Sequence, residues 1–453
     1  MLFGTVKSEI VSHLSYIIGN NNEAAVIDPR RDGKTYLKIA KQWGAKINYI
    51  FETHRNEDYL TGSLELKKLT GATIFHGPGL SWGFGKTIQD NQEIKLGSLK
   101  IKAIHTPGHS PDSTSYVLYD LESGEEPVIV FTGDTLFVGD VGRTDFLGKK
   151  MTPIMSEKLY NSITAKLFSL GDGVIVCPAH GSGSVCGGNI RQREISTIGI
   201  EKKTNPMLNL SKDDFIKEKT AEQHQTPPYF KQMEEYNLNG PPVLGEIPTP
   251  HPLTPSEFKK TAENAYIIDT RTPAAFGAAH IKNSFSLTPK RLLNVGWVAD
   301  YNKPILLVVE DLHALDFAAD NLFRLGLDKI AGYLEGSIEA WYKQGLPISK
   351  NGLLSVHELK KMIDTTQAIT ILDVRREKEW TEGHIKGAMR IYLGHLPKHT
   401  NEIPRDKPIV VICKTGNRSS FGASILLRAG FENVYNCLGG IDAWTKAGFR
   451  LTK

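Results

Sequence analysis

Residues 407–430, KPIVVICKTGNRSSFGASILLRAG, align without a gap on residues 303–326, KPILLVVEDLHALDFAADNLFRLG, exactly one offset of 104 residues earlier. The same offset lays LDVR (372–375) over IDTR (268–271) and His384 over His280. GGIDAW (439–444) matches EGSIEAW (335–341) with one inserted residue. A period this long is a whole domain rather than one supersecondary unit, so the C-terminal half holds two copies of one α/β domain. Each copy has an apolar run followed by a helical pattern, the signature of a strand feeding a helix. The copies differ at one point: CKTGNRS (413–419) stands where the first copy has VEDLHAL, with Val309 opposite Cys413 and Ala314 opposite Arg418.

The N-terminal half has no such repeat. Its β-branched runs in AAVIDP (24–29), NYIFETH (48–54), IKAIHTPGH (101–109), VIVFTGD (128–134) and GVIVCPAH (173–180) each end in Pro or Gly plus Asp or His. Strands that end together in ligand-type residues predict a site along one sheet edge. Helical patterns follow in 33–44 and 151–170, and a polar, weakly helical stretch covers 200–236. The proline-dense 239–255 reads as a semi-rigid linker. The expected domains are residues 1–240, a linker at 241–253, a silent copy at 254–350 and an active copy at 351–453.

Net charge is +4 over 453 residues, with no basic cluster, so no nucleic-acid surface is expected. No apolar run reaches a membrane span, and the start lacks a basic stretch followed by an apolar one, so neither membrane contact nor a signal peptide is expected. Four scattered cysteines, Cys177, Cys186, Cys413 and Cys437, do not make a disulfide framework and point to a reducing cytoplasm.

Cys413 opens a tight loop between a strand and a helix. Backbone N–H groups there converge on one point and favour an anion, so the thiolate of Cys413 should be a good nucleophile. Gly416 permits the turn and Arg418 adds a fixed cation. Cys437 lacks such a setting and reads as a strand residue. CKTGNRS, with four residues between Cys413 and Arg418, and LDVRREKEWTEGHIKGAMRI (372–391) resemble the rhodanese sulfurtransferases. That resemblance implies a persulfide carried on Cys413 and cradled by Lys414, Thr415, Gly416, Asn417 and Ser419, with Arg418 at the loop mouth. The first copy resembles a rhodanese without reactive groups, and a spacer or docking role is expected for it.

In FETHRNEDYLTG (51–62), TPGHS, FTGD and PAHGSG the order and spacing resemble the metallo-β-lactamase fold, an αββα sandwich. Its two-metal hydrolases use HxHxDH. Here Asn56 and Tyr59 replace two of those histidines, and both are poor transition-metal donors. Asp58 and His180 remain, two donors for a second metal position. His54, His109 and Asp134 survive as two imidazoles and one carboxylate, the composition of the facial triad of non-haem Fe(II) oxygenases. VGRTDF (141–146) also resembles the persulfide dioxygenase branch, where Arg143 and Asp145 are expected to pair near the site. An Arg143 contact to a substrate carboxylate is the alternative. Cys186, just after His180, reads as a sulfur relay, as a substrate-facing thiol or as a small packed residue. Cys177 reads as core.

The whole resembles multidomain persulfide dioxygenase–sulfurtransferases of the CstB type. That implies one Fe(II) per chain and oxidation of a small thiol persulfide by O₂ to sulfite. It further implies transfer of sulfane sulfur through Cys413 to sulfite, giving thiosulfate. A homo-oligomer is expected. The alternatives are a zinc thioesterase of the glyoxalase II kind and a metal-free scaffold carrying a sulfurtransferase.

Overall fold

In a computed structural model the chain divides into two compact units, Met1–Ile247 with Arg324–Gly326, and Pro248–Phe323 with Leu327–Lys453. The structure describes every residue except Glu246 and Pro248, so these two positions of the expected linker lie outside the described residues. Among the described residues no helix is long and apolar enough to cross a membrane.

The first unit is built on two six-stranded sheets. One runs in the order of the chain: β1 (Leu2–Ser8), β2 (His13–Asn20), β3 (Glu23–Ile27), β4 (Lys46–Phe51), β5 (Thr73–His76) and β6 (Lys86–Thr87). The other comprises β7 (Glu93–Leu96), β8 (Leu99–His105), β9 (Thr114–Asp120), β10 (Pro127–Gly133), β11 (Ile175–Pro178) and β12 (Ser196–Thr197), also adjacent in chain order. All five runs expected as strands are strands. Alternation decides the layers. Tyr16, Ile18, Ala25, Ile27 and Phe51 face Ile101, Ala103, Tyr116, Leu118 and Phe131 across the inter-sheet core. Ile17, Val26 and Ile50 point the other way, against Tyr36 and Ala40 of helix Lys34–Gln42 and Leu66 of helix Ser63–Thr70. Val117, Val130 and Val176 likewise meet Leu159, Ile163 and Phe215 on the far side. The result is the expected αββα sandwich.

Within the proline-dense stretch, Pro242 accepts from Arg31 at 2.8 Å, and Glu65 accepts from the backbone of Leu244 and Gly245 at 2.6 and 2.8 Å. Those residues are therefore tied to the first unit, and Pro252–Leu253 is already β13 of the next sheet.

The second unit holds the repeat. β13, β14 (Tyr266–Asp269), β15 (Phe285–Ser286), β16 (Ile305–Val308) and β17 (Ile330–Leu334) form a parallel sheet in the order 13-17-16-14-15. β18 (Gly352–Leu354), β19 (Thr370–Asp373), β20 (Met389–Arg390), β21 (Ile409–Ile412) and β22 (Val434–Cys437) repeat it as 18-22-21-19-20. Register repeats too: Ile268 pairs with Phe285 and Tyr266 with Ile305, as Leu372 does with Met389 and Thr370 with Ile409. The paired motifs IDTR and LDVR prove structural. Asp269 and Asp373 are fully buried and accept from Arg271 and Arg375. Each arginine also donates to a carbonyl just before the shared histidine, Ala279 and Gly383 at 2.7 and 2.8 Å. A buried carboxylate is tolerated because the arginine fork satisfies it.

Candidate active sites

The strand ends converge as their sequences suggest. His54 lies three residues past β4, His109 four past β8, Asp134 directly after β10 and His180 two past β11. All four are buried. Asp134 Oδ2 lies 3.7 Å from His54 Nε2 and 3.5 Å from His109 Nε2.

The outer shell sets the imidazole tautomers. Asp28 accepts from the Thr53 backbone at 2.7 Å and from its hydroxyl at 2.8 Å. With its proton committed, the Thr53 oxygen accepts from Nδ1 of His54 at 2.9 Å. Nδ1 of His109 donates to the Arg143 carbonyl at 2.9 Å. In the neutral form both rings then carry the lone pair on Nε2, the arrangement a metal requires. Burial would lower His109, but Glu57 and Asp134 outweigh it and raise the ring above its ordinary value, so a metal there would displace a proton. Nε2 of His54, Nε2 of His109 and Oδ2 of Asp134 are buried and have no hydrogen-bond partner among the described residues. Burial pushes His54 down, which favours the neutral ring. Burial would raise Asp134, yet His180 and His54 hold it well below the usual carboxylate range.

A fourth donor was not anticipated. Glu57 is fully buried, and its Oε2 is also unpartnered, 3.6 Å from His109 Nε2. Donor atoms of His54, Glu57 and His109 all lie within 4.8 Å of one another. Burial alone would raise Glu57, but His109 and Arg55 hold it down, so it faces the position as an anion. His109 is shared between this trio with His54 and Glu57 and a second one with Asp134 and Cys186, and imidazoles with unpartnered carboxylate oxygens beside them are donors that fit a divalent transition metal. The sequence offered one cue: Glu57 is an acidic residue inside a ligand motif, two residues past Arg55.

The second metal position is rebuilt. Asp58 Oδ2 faces His180 Nε2 at 3.3 Å, and His180 Nδ1 meets Asp134 Oδ1 at 2.7 Å. Burial opposes the imidazolium of His180, but the two carboxylates outweigh it and raise the ring well above its ordinary value. Tyr59 is buried and stacks on His13 at 4.0 Å between ring centroids. Asn237 holds the loop by donating to the carbonyls of Asn56 and Tyr59 at 2.7 Å each. The two donors expected here become three, because Cys186 brings its sulfur within 4.8 Å of donor atoms on Asp58 and His180. The same thiol packs on Phe137 and Ile190, so it is at once a packed residue and a site residue. Burial pushes it up, which favours the neutral thiol. Arg143 and Asp145 pair at 2.6 and 2.8 Å, and the guanidinium lies 4.5 Å from the Phe146 ring centre.

Cys413 follows β21 and precedes helix Asn417–Arg428. It is fully buried, and its sulfur accepts from the Gly416 N–H at 3.1 Å and lies 3.3 Å from the Ser419 hydroxyl. Ser419 donates to Asn436 at 2.6 Å, and Asn436 donates back to the Gly416 carbonyl at 3.1 Å. Gly416 has φ +96°, a conformation that favours glycine. Lys414 and Thr415 are exposed, and Asn417 is half-buried. Arg418 is engaged by both oxygens of Glu379, at 2.6 and 2.7 Å. Burial would raise Glu379, but Arg418 more than offsets it. In the first copy Val309 is buried at the equivalent point, and Glu310 and Asp311 line the loop's cavity.

Residues 9–180 match the model of the metallo-beta-lactamase superfamily, and residues 254–344 and 355–447 match the rhodanese-like domain. A solved structure described as a metallo-beta-lactamase from Staphylococcus aureus subsp. aureus COL is 31% identical, covering 74% of this chain and 98% of its own, with a TM-score of 0.66. The chain belongs to the metallo-beta-lactamase superfamily. Two rhodanese-like domains follow its lactamase-fold domain. That domain is similar to "Persulfide dioxygenase ETHE1, mitochondrial" of Bos taurus, 29% identical over 211 residues, 45% of this chain and 74% of the relative. It is also similar to "Hydroxyacylglutathione hydrolase GloC" of Haemophilus influenzae, 29% identical over 217 residues, 43% and 92% respectively.

Proposed function

We propose that this protein oxidises low-molecular-weight thiol persulfides with O₂ and passes sulfane sulfur through Cys413 to sulfite. The observation that carries the reading is the set of unpartnered donor atoms on His54, His109 and Asp134, beside a pruned second position at Asn56 and Tyr59. Bound to those residues, one ferrous ion would supply a redox-active centre for O₂ and a persulfide sulfur. The balance is RSSH + O₂ + H₂O → RSH + SO₃²⁻ + 2H⁺. Thr53 and the Arg143 carbonyl orient the two imidazoles, and Asp28 fixes Thr53. Burial of the whole cluster excludes bulk water from the reacting sulfur.

At the second site the Gly416 N–H donates to the Cys413 sulfur, and the Ser419 oxygen, its proton committed to Asn436, lies 3.3 Å from that sulfur. Cys413 takes the outer sulfur of a second RSSH and releases RSH, and the resulting Cys413 persulfide gives that sulfur to sulfite and its proton to solvent. The S–S bond breaks, a new S–S bond forms in thiosulfate, and the electron pair returns to the cysteine thiolate. Two sites on one chain keep sulfite near its acceptor by effective concentration.

One observation favours a second reading: Asp58, His180 and Cys186 form a further buried donor trio. Filled together with the first position, it would make a two-metal hydrolase acting on acyl thioesters. Reconstitution with Fe(II) without oxygen, followed by O₂ uptake with a small persulfide, separates the two. Uptake supports oxidation, whereas thioester hydrolysis with two metals per chain and no uptake supports the hydrolase.

A further inference from the structure

The silent rhodanese copy has no reactive cysteine, yet it closes tightly on the active one. Ser286 Oγ meets Ser420 Oγ at 2.7 Å, and the Ser286 N–H donates to Ser424 Oγ at 3.2 Å. Phe285 stands edge-on to Phe421 at 5.8 Å, and Arg428 lies over the Phe285 ring at 4.5 Å. These serines are all buried, so the two copies are fixed relative to each other.

Beside this contact the run Pro289–Trp297 of the silent copy shares a cavity with Arg418 of the Cys413 loop. Trp297 sits so close to Gly394 that a Cβ there would come within 2.5 Å of its ring. It also stands edge-on to Tyr392 at 5.7 Å. Between the copies lies a cavity of about 380 Å³, walled by Arg291, Asn294 and Trp297 from the silent side and by Arg376, Glu379 and Arg418 from the active side. With Lys378, four cations face it and one carboxylate.

Charge accounting singles out one of those cations. Arg418, the cation of the loop itself, is held at both ends by Glu379, so its charge is locally neutralised. The guanidinium of Arg291 has no hydrogen bond or ion pair among the described residues, and it lines the same cavity as Arg418. The Nδ2 of Asn294 is buried and unpartnered, a donor facing no acceptor. A cavity with a free guanidinium, an unsatisfied amide donor and an aromatic wall suits a small multivalent oxyanion.

We propose that the silent copy supplies the acceptor subsite of the sulfur-transfer reaction, with Arg291 and Asn294 binding the sulfur oxyanion, sulfite or thiosulfate, that exchanges sulfur with Cys413. This rests on the reading of Cys413 as the sulfur carrier. It also gives the silent copy a role more specific than a spacer: it completes a pocket that the active copy lines only in part. Arg291 and Asn294 act as binding residues, and Trp297 positions the wall against Gly394.

The test uses the full chain and thiosulfate as the probe, with cyanide as sulfur acceptor. Arg291→Ala should raise the KM for thiosulfate by at least about tenfold, the scale of one hydrogen bond between charged groups, and leave kcat within about twofold. Arg291→Lys should recover part of the loss, and Asn294→Ala should raise KM by a smaller factor. Titrating sulfite and thiosulfate separately into a Cys413→Ser background, read by tryptophan fluorescence, distinguishes which anion the subsite prefers. Arg291→Ala should weaken whichever binds. Unchanged KM and unchanged binding in Arg291→Ala, with Cys413-dependent transfer intact in the parent, would overturn this inference alone. Transfer that persists at the parent rate in Cys413→Ser would overturn the sulfur-carrier reading and the inference with it.

Discussion

Replacing Glu57 by Gln keeps shape and removes one negative charge from the proposed iron site. Its free oxygen lies 3.6 Å from His109 Nε2, inside the radius over which the His54 and His109 donors converge. A carboxylate about 4 Å from a divalent ion gains roughly 8 kcal/mol at an effective dielectric near 20, twice the value for a unit pair. Arg55, 3.3 Å from the other oxygen of Glu57, cancels part of that, and Gln still offers an amide oxygen. Loss of a residue supporting a metal site typically lowers affinity by about 10- to 100-fold. A loss of about 100-fold, or roughly 2.7 kcal/mol, is expected here. The assay is competition for Fe(II) against a chelator of known affinity, without oxygen, so it does not depend on turnover. Arg55→Gln serves as a control and should change affinity far less. Equal Fe(II) affinity in the parent and Glu57→Gln would refute the claim that this carboxylate faces the ion.

Further expectations follow from the same geometry. His54→Ala and His109→Ala should each lose bound iron and O₂ uptake while Cys413-dependent sulfur transfer stays at the parent rate, read in the same preparation. Cys413→Ser should keep O₂ uptake and accumulate sulfite in place of thiosulfate, followed by separating the sulfur anions. Burial lowers the folded-state value of His280 from 6.5 to about 4, so the unfolded chain binds more protons between those limits. Stability should therefore be complete above about pH 6.5 and fall, by up to about 3 kcal/mol, as pH drops toward 4. His280→Gln should flatten that slope in denaturant unfolding followed at several pH values.

Much of this was legible in the sequence because period and punctuation carry it. The 104-residue offset between Lys303 and Lys407 implied two like domains, and the strand registers repeat at that offset. Strands ending in His54, His109, Asp134 and His180 implied a shared edge, since alternation allows those ends to meet. Glu57 was not legible: a glutamate between Asn56 and Asp58 could have pointed outward, and only the loop held by Asn237 turns it in. Cys186 was marked by its place just after His180, but it lies far along the chain from Asp58, and only the fold brings the two together. Arg291 is a plain surface-type residue in its own copy. Its meaning arises only where Trp297 meets Gly394, a contact between segments about 100 residues apart.

The most direct test of the account is O₂ consumption by the protein reconstituted with Fe(II) without oxygen and then given a small-molecule persulfide. The account predicts one iron per chain, one O₂ consumed per persulfide, and sulfite as the product at the first site. Iron bound at one per chain with no O₂ uptake would contradict it.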